Sequence, residues 1–317
     1  MGLEDLQSIK RTYSENITAI TTLTAKIITD EIEEMLSESS LFTKLLLKIG
    51  GKRAEEAAAP YISAIIMLAF ETKPITNDVL KLVINAAGIV PNTRLLDFAA
   101  SIKIAELLPY VPTAYLLKVN GLEVTEERMV NILNSIGVHA NKESASKVLI
   151  SYREKESQSA MATPGRPNAL QEKIEHSIND VAKMISRLTN MELERTFERK
   201  DAMAYIKDIM PYLTATAELA LLGKDLGQIN MDAFMANIRS IISAMGIKPE
   251  EKMIKFVSNL NYGNALMYVP PLFFLLSINI QPTLEKIGDI AAAINIPRDD
   301  AQAGYVLTIY NDIKTTF

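Results

Sequence analysis

Apolar side chains recur every three to four positions across residues 1–47, at Leu6, Tyr13, Ile17, Ile20, Leu23, Ile27, Ile28, Ile32, Met35 and Leu36. That spacing lines them up as one stripe along a helix. Ser37–Ser40 can interrupt the pattern, and Gly50-Gly51 is expected to end it. A second stripe, close to a heptad, runs through Leu170, Ile174, Ile178, Val181, Ile185, Leu188 and Met191. Each stripe predicts a long helix that must cover apolar surface, either on its own chain or on a partner.

Between and after the stripes the pattern breaks into short helices with clear stops. Pro60 suits the first turn of a helix reaching about Phe70. Thr76 can cap a second helix carrying Val79, Leu80, Val83 and Ile84, and Gly88 stops it. Asn92 or Thr93 can cap a third, with Leu95, Leu96, Phe98, Ala99 and Ile102 facing inward. Residues 109–155 repeat this plan at an offset of 49, matching Tyr61/Tyr110, Leu68/Leu117, Thr76/Thr125 and Gly88/Gly137.

Tyr110–Tyr152 then recurs without a gap 158 positions later as Tyr268–Tyr310, with Leu117/Leu275, Thr125/Thr283 and Tyr152/Tyr310 among the identities. Pro211-Tyr212 opens a further unit, aligned with Pro60-Tyr61 at an offset of 151 and matching Leu68/Leu219. Repetition of one supersecondary unit is the strongest organisational signal in the chain. The predicted fold is all-α, a tandem duplication of a long helix followed by two three-helix units. The N-terminal half is 1–156, with helix 1–47 and units 60–106 and 109–155. A small, polar, proline-bearing linker covers 157–167, within Ser157–Asn168. The C-terminal half is 168–317, with helices over 168–208 and units 211–264 and 268–314.

Composition narrows the function classes. Hydrophobic residues make up 48% of the chain, enough for a real core. The 33 basic and 38 acidic residues leave a net charge of −5, which gives no electrostatic case for wrapping nucleic acid or docking on anionic lipid. The chain has no cysteine, hence no disulfide framework, thiolate nucleophile or Cys-ligated metal. The apolar runs near Tyr61–Phe70 and Tyr268–Ile280 are too short to span a bilayer. The N-terminal stretch lacks the apolar core of a signal peptide, so a soluble cytoplasmic protein is expected.

Candidate chemistry is sparse. The two histidines, His139 and His176, fall in different halves and neither has a second histidine at ligand spacing. The acidic clusters Asp30–Glu34, Glu126-Glu127 and Asp299-Asp300 sit where carboxylates favour helix starts or solvated faces. No glycine-rich phosphate loop is present. The basic patches Lys52-Arg53 and Arg195–Lys200 have acids nearby and read as solvated faces. No catalytic residue, metal ligand or cofactor is therefore expected, and an enzyme would need residues unique to one half.

The candidate residues are helix-packing ones. They are Ile17, Ile20, Leu23 and Ile27 on the first stripe, and Ile174, Val181 and Ile185 on the second. On the first helices of the units they are Tyr61, Leu68, Tyr110, Leu117, Tyr212, Leu219, Tyr268 and Leu275. The four tyrosines are expected to pack their rings and keep their hydroxyls wet.

Tyr110–Leu117 reads Tyr-Val-x-x-Ala-Tyr-Leu-Leu, followed by Thr125-Glu126-Glu127 and by Ile132-Leu133-x-x-Ile136-Gly137-Val138. Ala86-Ala87-Gly88-Ile89 gives a similar turn in the first unit. This ordered set resembles the N-terminal dimerisation domain of the acidic ribosomal stalk proteins of archaea and eukaryotes, and the four units span about two-thirds of the chain. The resemblance implies helical domains that pair through apolar helices and grip a helix of the stalk's base protein. Carried over, it implies that the two units of each half pair and that the leading helix of each half fills the groove. The family also has a flexible hinge and an acidic tail with an apolar motif that recruits translational GTPases. Asn311–Phe317 shows neither.

The expected function is a non-catalytic scaffold or adaptor that holds amphipathic helices in grooves between paired units. Its partner is a protein or a second copy, and the resemblance adds a link to ribosomes or translation. The alternative is a self-assembling virion or filament subunit. An enzyme with a site invisible in the sequence comes third.

Overall fold

The computed structural model describes residues 2–38, 51–71, 73–101, 104–158, 169–197, 208–222, 224, 230–260 and 262–316. Among these residues the chain is helical, with no strand. The linker residues 159–168 lie outside the described residues, as do 39–50 and 198–207.

The two long stripes form α1 (Gly2–Glu38) and, in the second half, α9 (Ala169–Phe197). The first unit comprises α2 (Gly51–Phe70), α3 (Asn77–Ala86) and α4 (Thr93–Ala100), and a short α5 (Ile104–Leu107) connects it to the second. The second unit comprises α6 (Tyr110–Val119), α7 (Glu126–Ser135) and α8 (Lys142–Gln158). The third comprises α10 (Met210–Leu221), α11 (Met231–Ala244) and α12 (Glu251–Ser258), followed by the short α13 (Tyr262–Leu266). The fourth comprises α14 (Val269–Ser277), α15 (Leu284–Ala293) and α16 (Asp300–Thr316). No helix among the described residues is long and apolar enough to cross a membrane.

Local chemistry explains the second helices. Thr76, Thr125 and Thr283 accept hydrogen bonds from the backbone N–H groups of Val79, Arg128 and Lys286, three residues on. Each satisfies a donor that the first helical turn leaves unpaired. Asn230 does the same for Ala233. The second helices of the first three units end at Gly88, Gly137 and Gly246, all with left-handed φ. In the fourth unit Asn295 takes that conformation, at φ 60°; asparagine tolerates it better than most residues.

The first helix of the first unit departs from expectation. It starts at Gly51 rather than Pro60 and carries Pro60 inside it. Ala54, Glu55, Glu56 and Ala57–Ala59 are strong helix formers, and they extend the helix backwards. Pro60 forgoes one intrahelical hydrogen bond there without ending the helix.

Pairing also departs from expectation. Among the described residues the units of one half do not pair with each other. The first helix α6 packs on α10 and their followers α7 and α11 meet, joining the second unit to the third. Likewise α2 packs on α14, and α3 on α15, joining the first unit to the fourth. Only Ser101–Pro109 connects α4 to α6, and α5 within it packs on α2, so little chain remains to fold α6 back over the apolar face of α2. The two halves are interlocked, with α1 against α9 between the pairs.

Candidate functional site

The first helices of the units are buried on every side: the described core of α6 runs from Tyr110 to Leu117 and that of α14 from Val269 to Leu275. A helix buried all round needs neighbours on more than one face. Each is met by its partner first helix on one side and by a long helix on another, α1 on α6 and α9 on α14.

The long helices are antiparallel. Lys10 pairs with Glu194, Asn190 donates to the Ser14 hydroxyl at 3.4 Å, and Tyr13 lies beside Thr189. Further along, Ile17, Ile20 and Thr24 share an apolar gap of about 30 Å³ with Ile178, Val181 and Ile185. Leu221 of α10 and Phe273 of α14 close this gap. The described middle parts of both stripes thus face each other within the molecule. Ile17, Leu23, Ile27 and Ile185 are buried, and Ile20 and Val181 are half-buried. The side chain of Ile174 lies outside the described residues. Leu68, Leu117, Leu219 and Leu275 are buried in the first helices.

The four tyrosines are buried too, but their hydroxyls are not wet. Tyr61 accepts from the N–H of Asn92 at 2.7 Å, Tyr110 from Asn141 at 2.6 Å and Tyr212 from Glu250 at 2.9 Å. Tyr268 donates to the carbonyl of Pro297 at 2.6 Å. In each unit the ring sits in the core while the hydroxyl bonds main chain at the entrance to the third helix. The first helix therefore holds the third at a set distance, a contact between segments some 30 residues apart. Tyr110→Phe leaves the Asn141 N–H without its partner at a partly buried position. We expect a loss of about 1–2 kcal/mol in urea unfolding, with the folded spectrum unchanged; an unaltered midpoint would show that water replaces the hydroxyl fully.

Two buried carboxyls were not anticipated. Glu218 is 2% exposed in the middle of α10, where the matched positions hold Met67, Leu116 and Phe274. One of its oxygens bonds the Thr113 hydroxyl of α6, and the other has no partner. Thr113 also reaches the Pro109 carbonyl at 3.2 Å, which can only accept. A protonated Glu218 that donates to Thr113 leaves the hydroxyl proton free for Pro109, so the neutral acid satisfies both contacts of Thr113 and leaves only its own second oxygen without a donor. Burial pushes the carboxyl up to about 8, against the Thr113 bond. Glu71, at the end of α2, is 1% exposed with neither oxygen bonded among the described residues, and burial pushes it up to about 8 despite Lys73 nearby. The sequence signal was there: a lone acid inside Ala215–Leu222 has no solvated face to occupy.

Charged groups tie α8 to α6 and to α1. Lys118 pairs with Glu156 and lies 5.8 Å from the centre of the Tyr152 ring. Lys155 donates to the carbonyl of Ala19 at 3.1 Å, and burial lowers its ammonium to about 8. Lys26 bridges Asp30 and Glu154. The histidines are apart and exposed, His139 after Gly137 and His176 on α9 at 3.6 Å from Asp180. Among the described residues no three His, Cys, Asp or Glu side chains are grouped to hold a metal ion.

Compared with protein families, with curated proteins and with solved structures, the chain finds no match.

Proposed function

We propose that this chain is a non-catalytic helical scaffold, a duplicated module whose paired stalk-like units clamp amphipathic helices. The observation that carries the reading is the seating of α1 and α9. Each long helix lays its apolar stripe against the first helix of a unit that is itself paired with another unit. A groove between paired helices that receives an amphipathic helix is a recurrent mode of protein recognition. In this chain the ligand helices are built in, so the scaffold needs no base protein to complete its core. Its role is to present the outer faces of the units to a partner, and the resemblance to the stalk family points to the translation machinery. Tyr hydroxyls bonded to the third helix in every unit, and threonine caps at matched positions, support descent from one repeated module.

Two measurements test this. Light scattering over a wide concentration range is expected to give a constant small mass; growth with concentration would favour the self-assembling subunit instead. Centrifugation with ribosomes of the source organism is expected to move the protein into the ribosomal fractions, and its exclusion from them would remove the link to translation.

A further inference from the structure

The two halves differ sharply at one matched place, and the difference opens a cleft. In the first half α8 is held to the rest of the molecule by Lys118, Tyr152, Lys155 and Glu156. At the matched positions of the second half stand Leu276, Tyr310, Ile313 and Lys314. The Lys118–Glu156 ion pair has no counterpart, and the carbonyl-bound Lys155 is replaced by an apolar side chain. Between α9, the turn after α14, and α16 lies an open cleft of about 450 Å³. That volume falls within the range of small-molecule sites, roughly 300–1,000 Å³.

The cleft has two kinds of wall. Leu276, Ile280, Pro282 and the edge of the largely buried Tyr310 form an apolar floor. His176, Asp180 and Lys183 face it from one stripe of α9, and Lys314 faces it from α16. Asp180 is already engaged, 3.6 Å from His176 and 3.8 Å from Lys183. Lys314 has no carboxylate within ion-pair distance among the described residues. With Asp180 shared by His176 and Lys183, Lys314 is the cation that the rim offers to a ligand. Asn279 adds a side-chain amide at the mouth. It takes a left-handed φ of 57° where the matched Gly121 has 65°, so the turn is kept and a hydrogen-bonding group is added.

We infer that this cleft binds a small ligand with a flat apolar body and an anionic head, a carboxylate or phosphate. The head pairs with Lys314, and the body covers Leu276 beside Tyr310. The proposal is independent of the scaffold reading, because it needs only the second half's own side chains.

The test uses 1-naphthyl phosphate, titrated against the full-length protein by its own fluorescence, with 1-naphthol and inorganic phosphate as single-group controls. One molecule of 1-naphthyl phosphate is expected to bind per chain with a dissociation constant of about 1 mM or below, and both controls more weakly. Lys314→Glu, at an exposed position, is expected to weaken binding about 10-fold or more. Leu276→Lys with Lys314→Glu installs the first-half ion pair and is expected to abolish binding while circular dichroism stays unchanged. Equal binding of 1-naphthol, or undiminished affinity in Lys314→Glu, would overturn the anionic head. Absence of any binding of 1-naphthyl phosphate to the unmodified protein would overturn the site.

Discussion

Cutting the chain between Gln158 and Ala169 is expected to leave one particle, which migrates like the intact protein under native conditions. The reason lies in where the apolar helices find their partners. The contacts α6 with α10, α2 with α14, and α1 with α9 all cross from one half to the other. Leu68, Leu117, Leu219, Leu275, Leu23 and Ile185 are buried on these helices. Each such side chain contributes roughly 1.5–3 kcal/mol when removed from water. Several together exceed an association cost of roughly 4–15 kcal/mol. Conversely, residues 1–158 produced alone lack α9, α10 and α14. That fragment is expected to aggregate or pair with itself, and to become a soluble 1:1 complex when residues 169–317 are produced beside it. Native mass spectrometry reads all three outcomes. Two halves that separate after cleavage as stable folded monomers would contradict the interlocked arrangement.

The second large effect is expected as pH rises. In an unfolded chain the carboxyls of Glu71 and Glu218 titrate near 4.5, whereas burial pushes both up to about 8 in the fold. Between those values the folded state holds protons that the unfolded state has released. Stability from these groups is therefore complete below pH 4.5 and is lost as pH rises through about 8. The slope is about 1.4 kcal/mol per pH unit for each group, or roughly 5 kcal/mol across the window. That is on the scale of a whole domain's stability, roughly 5–15 kcal/mol. The groups facing Glu218 do not offset this: Thr113 is neutral and the buried Tyr13 hydroxyl is pushed up to about 12. Glu71 faces Lys73, which lowers its carboxyl only in part. Lys155, lowered to about 8, acts in the opposite sense only above that pH. Urea unfolding is expected to give a midpoint that drops steadily from about pH 5 to about pH 8. Glu218→Gln keeps the shape and a donor for Thr113, and should halve the drop while raising stability at the alkaline end. A variant with the slope of the parent protein would mean that the carboxyl is charged in the fold.

What the sequence determined by itself is the set of helices and their ends. Thr76, Thr125 and Thr283 cap as expected, and Gly88 and Gly137 stop their helices, because capping and left-handed turns involve residues at most a few positions apart. The burial of Ile17, Leu23, Ile27 and Ile185 and of the first-helix leucines was legible for a similar reason, since periodicity places them on one face whatever covers it. Pro60 was misleading because its local signal competes with the helix-forming run before it. Which surface covers which stripe was decided only by tertiary structure. An apolar face carries no address: the pattern of α6 does not distinguish α2 of its own half from α10 of the other, and in the fold α6 meets α10 while the short α5 packs on α2. The tyrosine hydroxyls found main chain rather than water because α4, α8, α12 and α16 were brought to them. Glu218 was visible as an acid in an apolar run, but the burial that holds its proton depends on α6, which arrives from the other half and carries Thr113, 105 residues away. Partner choice between alike surfaces is a matter of chain connection and shape, and neither is written at any single position.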